Sequence, residues 1–285
     1  MVSLGVAIVL ALLSAVAVNV GYLLEQQAAA KLPALTFRHP LHSVGLLLRD
    51  KRWRRGFGTE TAGFLCFVAA VGLAPLSVVQ SISAGGVAVL AFLVARATGK
   101  PLGGRQVAGV VCAVAGLVCL GISLAGAHGE GDARDIATAI WLGGSAVLAG
   151  VAIVIGRHKH AAAAYGVAAG ILFAAGDVST KLVVSGGLHT VFLPTLIAGY
   201  AFGTACLQLG FQRGSALTAA GICTLLTNAL PIVAATAVLG ESLPTGPLRA
   251  VRIIAFVAVV VGGVLLAHTP DTSAAEAAPA PSPAQ

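Results

Sequence analysis

The stretch 162–184, AAAYGVAAGILFAAGDVSTKLVV, is almost wholly apolar, yet it carries both Asp177 and Lys181. A segment of about 20 apolar residues is long enough to cross a bilayer as a helix. A charge at that depth costs about 2.5–3.5 kcal/mol, so an acid and a base there indicate a functional site. Their i, i+4 spacing places Asp177 and Lys181 on one helix face, where they can pair directly. The alternative is a structural ion pair that neutralises itself between packed helices.

The composition extends this interpretation to the whole chain. Hydrophobic residues make up 58% of it and charged residues 9%, and the mean hydropathy is +0.96. In a bilayer every backbone polar group must be bonded within its own segment, so apolar segments of this length are helices. The sequence therefore predicts an all-α polytopic membrane protein with about nine transmembrane helices. The predicted spans are 2–24, 55–74, 76–97, 104–124, 136–156, 162–184, 189–210, 214–239 and 249–267.

We predict one transmembrane domain, residues 1–267, because no hydrophilic stretch is long enough to fold separately. The first apolar run has no basic residues before it and is longer than the core of a signal peptide, so it is interpreted as a span. Residues 268–285 are rich in Ala, Pro and Ser. This composition predicts a disordered tail on the cytoplasmic side.

The charges between the spans predict an orientation. The loop 31–55 contains seven basic residues against the single acid Asp50, whereas Glu130, Asp132 and Asp135 lie between the fourth and fifth spans. The positive-inside rule then places the N-terminus outside and the C-terminus in the cytoplasm. We expect an integral protein of a bacterial plasma membrane. The net charge of +7 follows topology and does not indicate nucleic acid as a partner.

Several other functions are not supported by the sequence. The five cysteines all lie in apolar segments, without the spacing of a disulfide framework or a zinc site. The glycines are not followed by the Lys-Ser/Thr of a nucleotide-binding loop, and no nucleophile has a neighbouring base. We therefore expect no enzyme activity and no cofactor. The identity of any metal and the formation of a homo-oligomer stay open.

Two parts of the chain resemble each other. Arg105 precedes Gly116 by the same interval, and with similar Ala and Val positions, as Arg252 precedes Gly263. The predicted repeats are residues 1–124 (spans 1–4) and 162–267 (spans 6–9), joined by a linking helix at 136–156. An offset of five spans, an odd number, gives the copies opposite orientations. Such inverted repeats are typical of secondary transporters, whose substrate site lies near the bilayer midplane at the repeat interface.

The chain also resembles a known group of transporters. The segments that carry this resemblance are Asn19–Gln27, Trp53–Glu60, Ala74–Gln80, Gly176–Lys181 and Gly214–Glu241. They are similar to the drug/metabolite transporter superfamily, to which the EamA-type exporters belong. The nine-span count and the order Trp-x-x-Gly, Glu, Ala-Pro are most similar to the NIPA-type magnesium transporters. Compared with the ten spans of EamA-type exporters, this chain would lack one early helix.

The resemblance and the helix periodicity together select candidate residues on a substrate pathway. An acid occupies the position of Glu60 in the NIPA-type pattern, which implies a pathway role; the alternative is an interfacial carboxylate paired with Arg54 or Arg55. Thr224, Asn228 and Pro231 follow an i, i+4, i+7 spacing and share a face. Pro231 leaves the carbonyl of Thr227 without its helical donor.

Further polar residues inside the spans are weaker candidates. Asn19, Gln80 and Gln208 are candidate pathway residues, but each alone is also explained by hydrogen bonding between helices. Glu25, at the end of the first span, is expected at the membrane interface.

These observations predict a secondary transporter that moves a small metabolite or ion across the lipid bilayer by alternating access. A magnesium or divalent cation transporter is the first alternative, because carboxylate and amide oxygens suit Mg²⁺. Lys181 would repel a cation unless Asp177 neutralises it, which favours a proton-coupled metabolite carrier. A membrane scaffold that transports nothing is the second alternative, although it would need neither the buried charges nor the repeat.

Overall fold

The computed structural model describes residues 2–83, 85–123, 135–156, 160–240 and 246–267, and all regular secondary structure in these ranges is helical. The helices are α1 Val2–Ala29, α2 Pro40–Arg49, α3 Lys51–Leu73, α4 Leu76–Ser83, α5 Gly86–Thr98, α6 Gly104–Ile122, α7 Asp135–Gly156, α8 Ala161–Ser185, a 3₁₀ helix Gly187–Phe192, α9 Leu193–Phe211, α10 Ala216–Ala237 and α11 Pro247–Ala267.

The predicted all-α membrane fold is confirmed. In the described ranges, seven helical segments are long and apolar enough to cross a bilayer, and they correspond to the first, second and fifth to ninth predicted spans. The third and fourth predicted spans correspond to shorter apolar helices. The predicted tail 268–285, the acidic residues Glu130 and Asp132, and the basic residues 157–159 lie outside the described residues.

The third predicted span, 76–97, is not one continuous helix. Helix α4 ends at Ser83, and α5 begins at Gly86. Two consecutive glycines, Gly85 and Gly86, explain the interruption, because glycine loses more backbone entropy in a helix than any other residue. Gly86 also lies so close to α1 that an added Cβ would be 2.5 Å from Nδ2 of Asn19.

The predicted loop 31–55 contains a helix that its charge pattern does not predict. Helix α2 has Pro40 in its first turn and ends at Arg49. The next residue, Asp50, caps α3 by accepting a hydrogen bond from the Trp53 backbone N–H at 2.8 Å. Its Leu41 is 87% exposed, and Val44 and Leu48 are about half exposed. A short helix with exposed apolar residues beside arginines has the character of an interfacial helix.

The helices pack in pairs, and two of them, α8 and α10, are largely buried by the others. Helix α1 packs against α3, α8 packs against α9 and α10, and α6 packs against α11. Helices α8 and α10 form the centre, since 72% and 78% of their membrane segments are buried, against 11% for α7.

Glycines make the closest of these crossings possible. A Cβ on Gly21 of α1 would lie 2.8 Å from the carbonyl oxygen of Gly56 of α3. A Cβ on Gly199 of α9 would lie 2.9 Å from the carbonyl oxygen of Leu172 and 3.1 Å from the backbone nitrogen of Gly176, both on α8. Small residues at such crossings let helix backbones approach in a membrane, where packing and not the hydrophobic effect drives association.

Candidate functional site

A cavity of about 100 Å³ lies between α1, α3, α4, α8, α9 and α10. Six of the nine candidate pathway residues line it, although they come from five separate helices. These six are Asn19, Glu60, Gln80, Asp177, Thr224 and Asn228. Tyr22 lines it as well, and Ser14, Ser83, Tyr200 and Thr227 are polar lining residues that the sequence did not single out.

Asp177 is held by two neutral donors. It is 3% exposed, its Oδ2 accepts from Nε2 of Gln80 at 2.7 Å, and its Oδ1 accepts a hydrogen bond from the Tyr200 hydroxyl. Lys181 instead donates from Nζ to the carbonyl oxygen of Val71 at 3.2 Å. The expected direct pair of Asp177 with Lys181 is therefore not formed, because α4 and α9 supply donors to Asp177 while α3 supplies an acceptor to Lys181. Lys181 does not line the cavity.

The α1–α3 crossing brings two glutamates together. Glu25 packs onto Gly56, and Glu60 packs onto Gly21, with Cγ of Glu25 and Cβ of Glu60 within 3 Å of the Cβ positions that these glycines lack. The two acidic side chains therefore lie next to each other in this crossing. Glu25 is fully buried, and its Oε2 accepts a hydrogen bond from Nε2 of Gln208.

This arrangement defines the neighbours of the two glutamates. Glu60 turns toward Glu25, whereas Arg54 and Arg55, its partners in the alternative interpretation, are exposed. Glu25, near the end of the first span, is buried between α1, α3 and α9. A signal for this pair was present in the sequence, since each glutamate follows a glycine by four residues, at Gly21 and at Gly56. That spacing places the glycine and the acid on one helix face.

The cavity presents buried oxygens that have no hydrogen-bond partner in the part of the chain that the structure describes. The five that belong to its lining residues are Asn19 Oδ1, Glu60 Oε2, Ser83 Oγ, Thr224 Oγ1 and Asn228 Oδ1. Both asparagines donate to their own helices, Asn19 to the carbonyl of Ala15 at 2.8 Å and Asn228 to that of Thr224 at 2.6 Å. One N–H of each amide is thereby engaged, and each amide oxygen is left as an acceptor.

The remaining two candidates, Pro231 and Gln208, lie beside the cavity. Pro231 is buried in α10 and does not line it. Because proline has no N–H, the carbonyl of Thr227 loses its helical donor, and Thr227 does line the cavity. Gln208 contacts Glu25 from the side of a neighbouring groove.

The electrostatic character of the cavity is negative. None of the described residues that line it is a lysine, arginine or histidine, and two are carboxylates. Among the described residues there is also no group of three His, Cys, Asp or Glu side chains that could enclose a metal ion. Any ion bound there would meet two carboxylates, neutral oxygens and water.

A second, larger space adjoins the cavity. A groove of about 560 Å³ lies between α3 and α9, with α2 along one side, and its surface is almost entirely apolar. Glu60, Phe64 and Tyr200 line both spaces. At the boundary between the two spaces, the rings of Phe64 and Tyr200 meet edge to face with their centroids 4.6 Å apart.

A polar, carboxylate-bearing cavity lined mostly by membrane-length helices is the kind of site found in polytopic helical membrane transporters. The chain is similar to the Probable magnesium transporter NIPA9 of Arabidopsis thaliana, with 26% identity over 279 aligned residues that cover 87% of this chain and 78% of that protein. This similarity confirms the prediction of a membrane transporter. No family model matches the chain, and no solved structure matches it.

Proposed function

We propose that this chain transports magnesium or a similar hard divalent cation, and that the cavity between α1, α3, α4, α8, α9 and α10 binds the ion during transport. One observation carries the proposal: the cavity is lined by the carboxylates of Glu60 and Asp177 and by buried neutral oxygens without partners among the described residues, and none of its described lining residues is positively charged. Hard cations of this kind take oxygen ligands. An anionic metabolite would instead be repelled by the two carboxylates, because no described lining residue offers a compensating positive charge.

The size and charge of the cavity suit a partly hydrated ion. Mg²⁺ demands octahedral geometry and keeps several of its waters, so it is usually held by one or two carboxylates and not by an all-protein cage. Glu60 and Asp177 together balance its double charge, and about 100 Å³ leaves room for a few water molecules. Lys181 does not line the cavity, so its ammonium group is not among the groups that would contact a bound cation.

The similarity to a protein named as a probable magnesium transporter supports the same substrate. The relationship extends over most of both chains. It also supports the NIPA-type subgroup within the drug/metabolite transporter superfamily.

The helix contacts support an inverted-repeat architecture with repeats 1–124 and 162–267. Exchanging spans 1–4 with spans 6–9 converts the α1–α3 pair into the α8–α9 pair, and both pairs are closely packed. The same exchange converts the α6–α11 pair into itself, as expected for helices that meet across a two-fold axis. Alternating access would then rock one repeat against the other around the cavity.

Three further proposals concern enzyme activity, cellular location and orientation in the membrane. We propose a transporter without enzyme activity, in a bacterial plasma membrane, with the N-terminus outside. A thiol reagent that cannot cross membranes should label Ser43→Cys only after the cytoplasmic side is opened, whereas Asp132→Cys should react in intact cells. Reversed labelling at both positions would overturn the orientation.

The substrate proposal is tested by flux in proteoliposomes that contain purified protein and a trapped magnesium-sensitive dye. Wild-type protein should admit Mg²⁺ faster than protein-free vesicles, and Glu60→Gln should abolish most of this flux. Glu276→Gln, the same substitution in the carboxy-terminal Ala/Pro-rich segment, is the matched control and should transport at the wild-type rate. Transport of a metabolite from a panel, with no flux of Mg²⁺, Mn²⁺ or Co²⁺, would overturn the proposal.

A further inference from the structure

The groove between α3 and α9 has an apolar wall that opens to the side of the helix bundle. Phe57 of α3 and Ile197 of α9 line it, with 40% and 57% of their surfaces exposed. The α2 residues Val44, Leu47 and Leu48 line it as well. Its volume of about 560 Å³ lies within the range of sites for sizeable organic ligands. Because α3 and α9 are bilayer-length helices, the hydrocarbon of the membrane is the apolar material that this opening meets.

Trp53, at one end of the groove, has a polar group that needs a hydrogen-bond acceptor. Its side chain is 5% exposed and stacks on Phe57 with ring centroids 4.9 Å apart. Its indole nitrogen is buried and has no hydrogen-bond partner among the residues that the structure describes. A buried donor without an acceptor costs about 1–3 kcal/mol, so this N–H calls for an acceptor from outside the chain. Tryptophans at membrane interfaces sit at the level of the lipid headgroups.

The same end of the groove is strongly basic. Arg49, Lys51, Arg52, Arg54 and Arg55 follow one another around the α2–α3 corner, and all are exposed. Arg54 precedes Phe57 by three residues and Thr61 by seven, and both of these line the groove, so Arg54 lies on the groove face of α3. The only acid in the corner, Asp50, is engaged in capping α3. Clusters of this kind beside a membrane attract anionic lipid headgroups.

We propose that this groove binds one anionic phospholipid. An acyl chain lies along α3 and α9, an oxygen of the phosphate or ester accepts a hydrogen bond from Nε1 of Trp53, and the anionic headgroup lies against the arginines of the α2–α3 corner. The acyl chain then contacts apolar side chains, the headgroup contacts basic side chains, and the unpartnered indole N–H gains its acceptor. This site does not depend on which substrate the chain carries.

The bound acyl chain would also close the side wall of the cavity. At its inner end the groove reaches Glu60 and Tyr200, which line the cavity as well. Hydrocarbon in the groove separates these polar groups from mobile lipid and prevents lateral leakage of water. Lipid binding would thus form part of the wall of the transport site.

Native mass spectrometry of the detergent-purified protein tests the proposal, with phosphatidylglycerol and phosphatidylcholine of identical acyl chains as probes. We expect one phosphatidylglycerol to stay bound, with about tenfold preference over phosphatidylcholine. Equal binding of both lipids, or retention of neither, would overturn the proposal.

Two substitutions locate the site. Trp53→Phe keeps an aromatic ring but removes the indole N–H, and Arg54→Gln removes one charge; each should weaken phosphatidylglycerol binding about tenfold. Trp141→Phe is the matched control, because Trp141 of α7 also has a buried indole nitrogen without a partner but does not line the groove. An equal loss in Trp141→Phe, or no loss in Trp53→Phe, would contradict the assignment.

A third substitution tests the acyl-chain position without touching the headgroup. Ala201→Phe places a large ring in the groove from α9 and should displace the lipid, while gel filtration checks that the protein is still folded. Undiminished binding of phosphatidylglycerol to folded Ala201→Phe protein would place the lipid elsewhere and overturn the proposal.

Discussion

The α1–α3 and α8–α9 crossings use the same backbone device to hold different chemistry. In each, a glycine on either helix lets the two backbones meet, at Gly21 with Gly56 and at Gly176 with Gly199. The α8–α9 crossing holds Asp177, whose two oxygens each accept a hydrogen bond from a neutral donor. The α1–α3 crossing holds Glu25 against Glu60, with one neutral donor between them and an unpartnered oxygen on each.

The two crossings differ in how completely their carboxylates are hydrogen-bonded: Asp177 has a donor on each oxygen and is called the fixed charge, whereas the glutamates each keep an unpartnered oxygen and are called the incomplete charge. Asp177 already has its hydrogen bonds, so it contributes negative charge from a rigid position. Two carboxyl groups next to each other away from water need a proton or a cation between them. An incoming ion therefore gains most at the glutamates, and Asp177 supports it from the opposite side of the cavity.

The largest expected effect compares the two sides directly in magnesium flux. Glu60→Gln removes the carboxylate that has an uncommitted oxygen and should lower the initial rate in proteoliposomes about 100-fold, whereas Asp177→Asn should lower it about tenfold. Equal losses in the two variants would show that the two acids contribute alike, and the comparison between the crossings would fail.

The next effect concerns stability, for which the substitution of Asp177 should be more harmful than the substitution of a glutamate. Asp177→Asn weakens two charge-assisted hydrogen bonds and should destabilise the fold by about 1.5–3 kcal/mol. Glu25→Gln removes one of two facing acids and should leave the melting temperature in detergent unchanged or raised. A stable Asp177→Asn protein beside an unstable Glu25→Gln protein would reverse our assignment of the fixed and the incomplete charge.

The crossings themselves can be broken by a single methyl group. Gly21→Ala places a Cβ 2.8 Å from the Gly56 carbonyl oxygen, and the resulting overpacking should cost about 1–3 kcal/mol. Gly199→Ala meets backbone atoms of α8 at similar distances and should behave alike. Gly5→Ala, on α1 with nothing within 4 Å of the added Cβ, is the control. Thermal unfolding distinguishes them; equal melting of Gly5→Ala and Gly21→Ala would contradict the close approach.

The sequence predicts which residues lie in the site better than it predicts which residues contact each other there. Asn19, Gln80, Asp177, Thr224 and Asn228 could be selected because a polar group in a lipid-facing position is costly, so polar residues within spans turn inward. Partner choice could not be predicted, because it depends on helix rotation and on distant segments. The i, i+4 spacing permitted a contact between Asp177 and Lys181, but Tyr200, 23 positions away, supplied the hydrogen bond instead.

Local rules account for the other differences. Helix α2 was hidden because its apolar residues lie among arginines, so residues 31–55 were interpreted as a charged loop. The division of the third span was signalled by Gly85 and Gly86, but glycine is frequent in membrane helices and did not by itself indicate an interruption.

The smallest expected effect concerns the proline of α10. Pro231→Ala restores an N–H that can bond to the Thr227 carbonyl, so stability should rise by about 1 kcal/mol. The same bond occupies an oxygen of a cavity-lining residue, and Mg²⁺ flux should fall a few-fold. Unchanged flux together with raised stability would show that this carbonyl serves only the helix bend.

The division of the third span has a consequence for the order of synthesis. Helices α4 and α5 contain 8 and 13 residues, so neither alone has the roughly 20 residues that a bilayer crossing requires. Both pack against α1, which is made before them, and against α10, which leaves the ribosome more than 100 residues later. The third span therefore reaches its final packing only when the second half of the chain has been inserted. Truncation before α10 would leave the first half without the neighbour that completes it, so the two halves mature together.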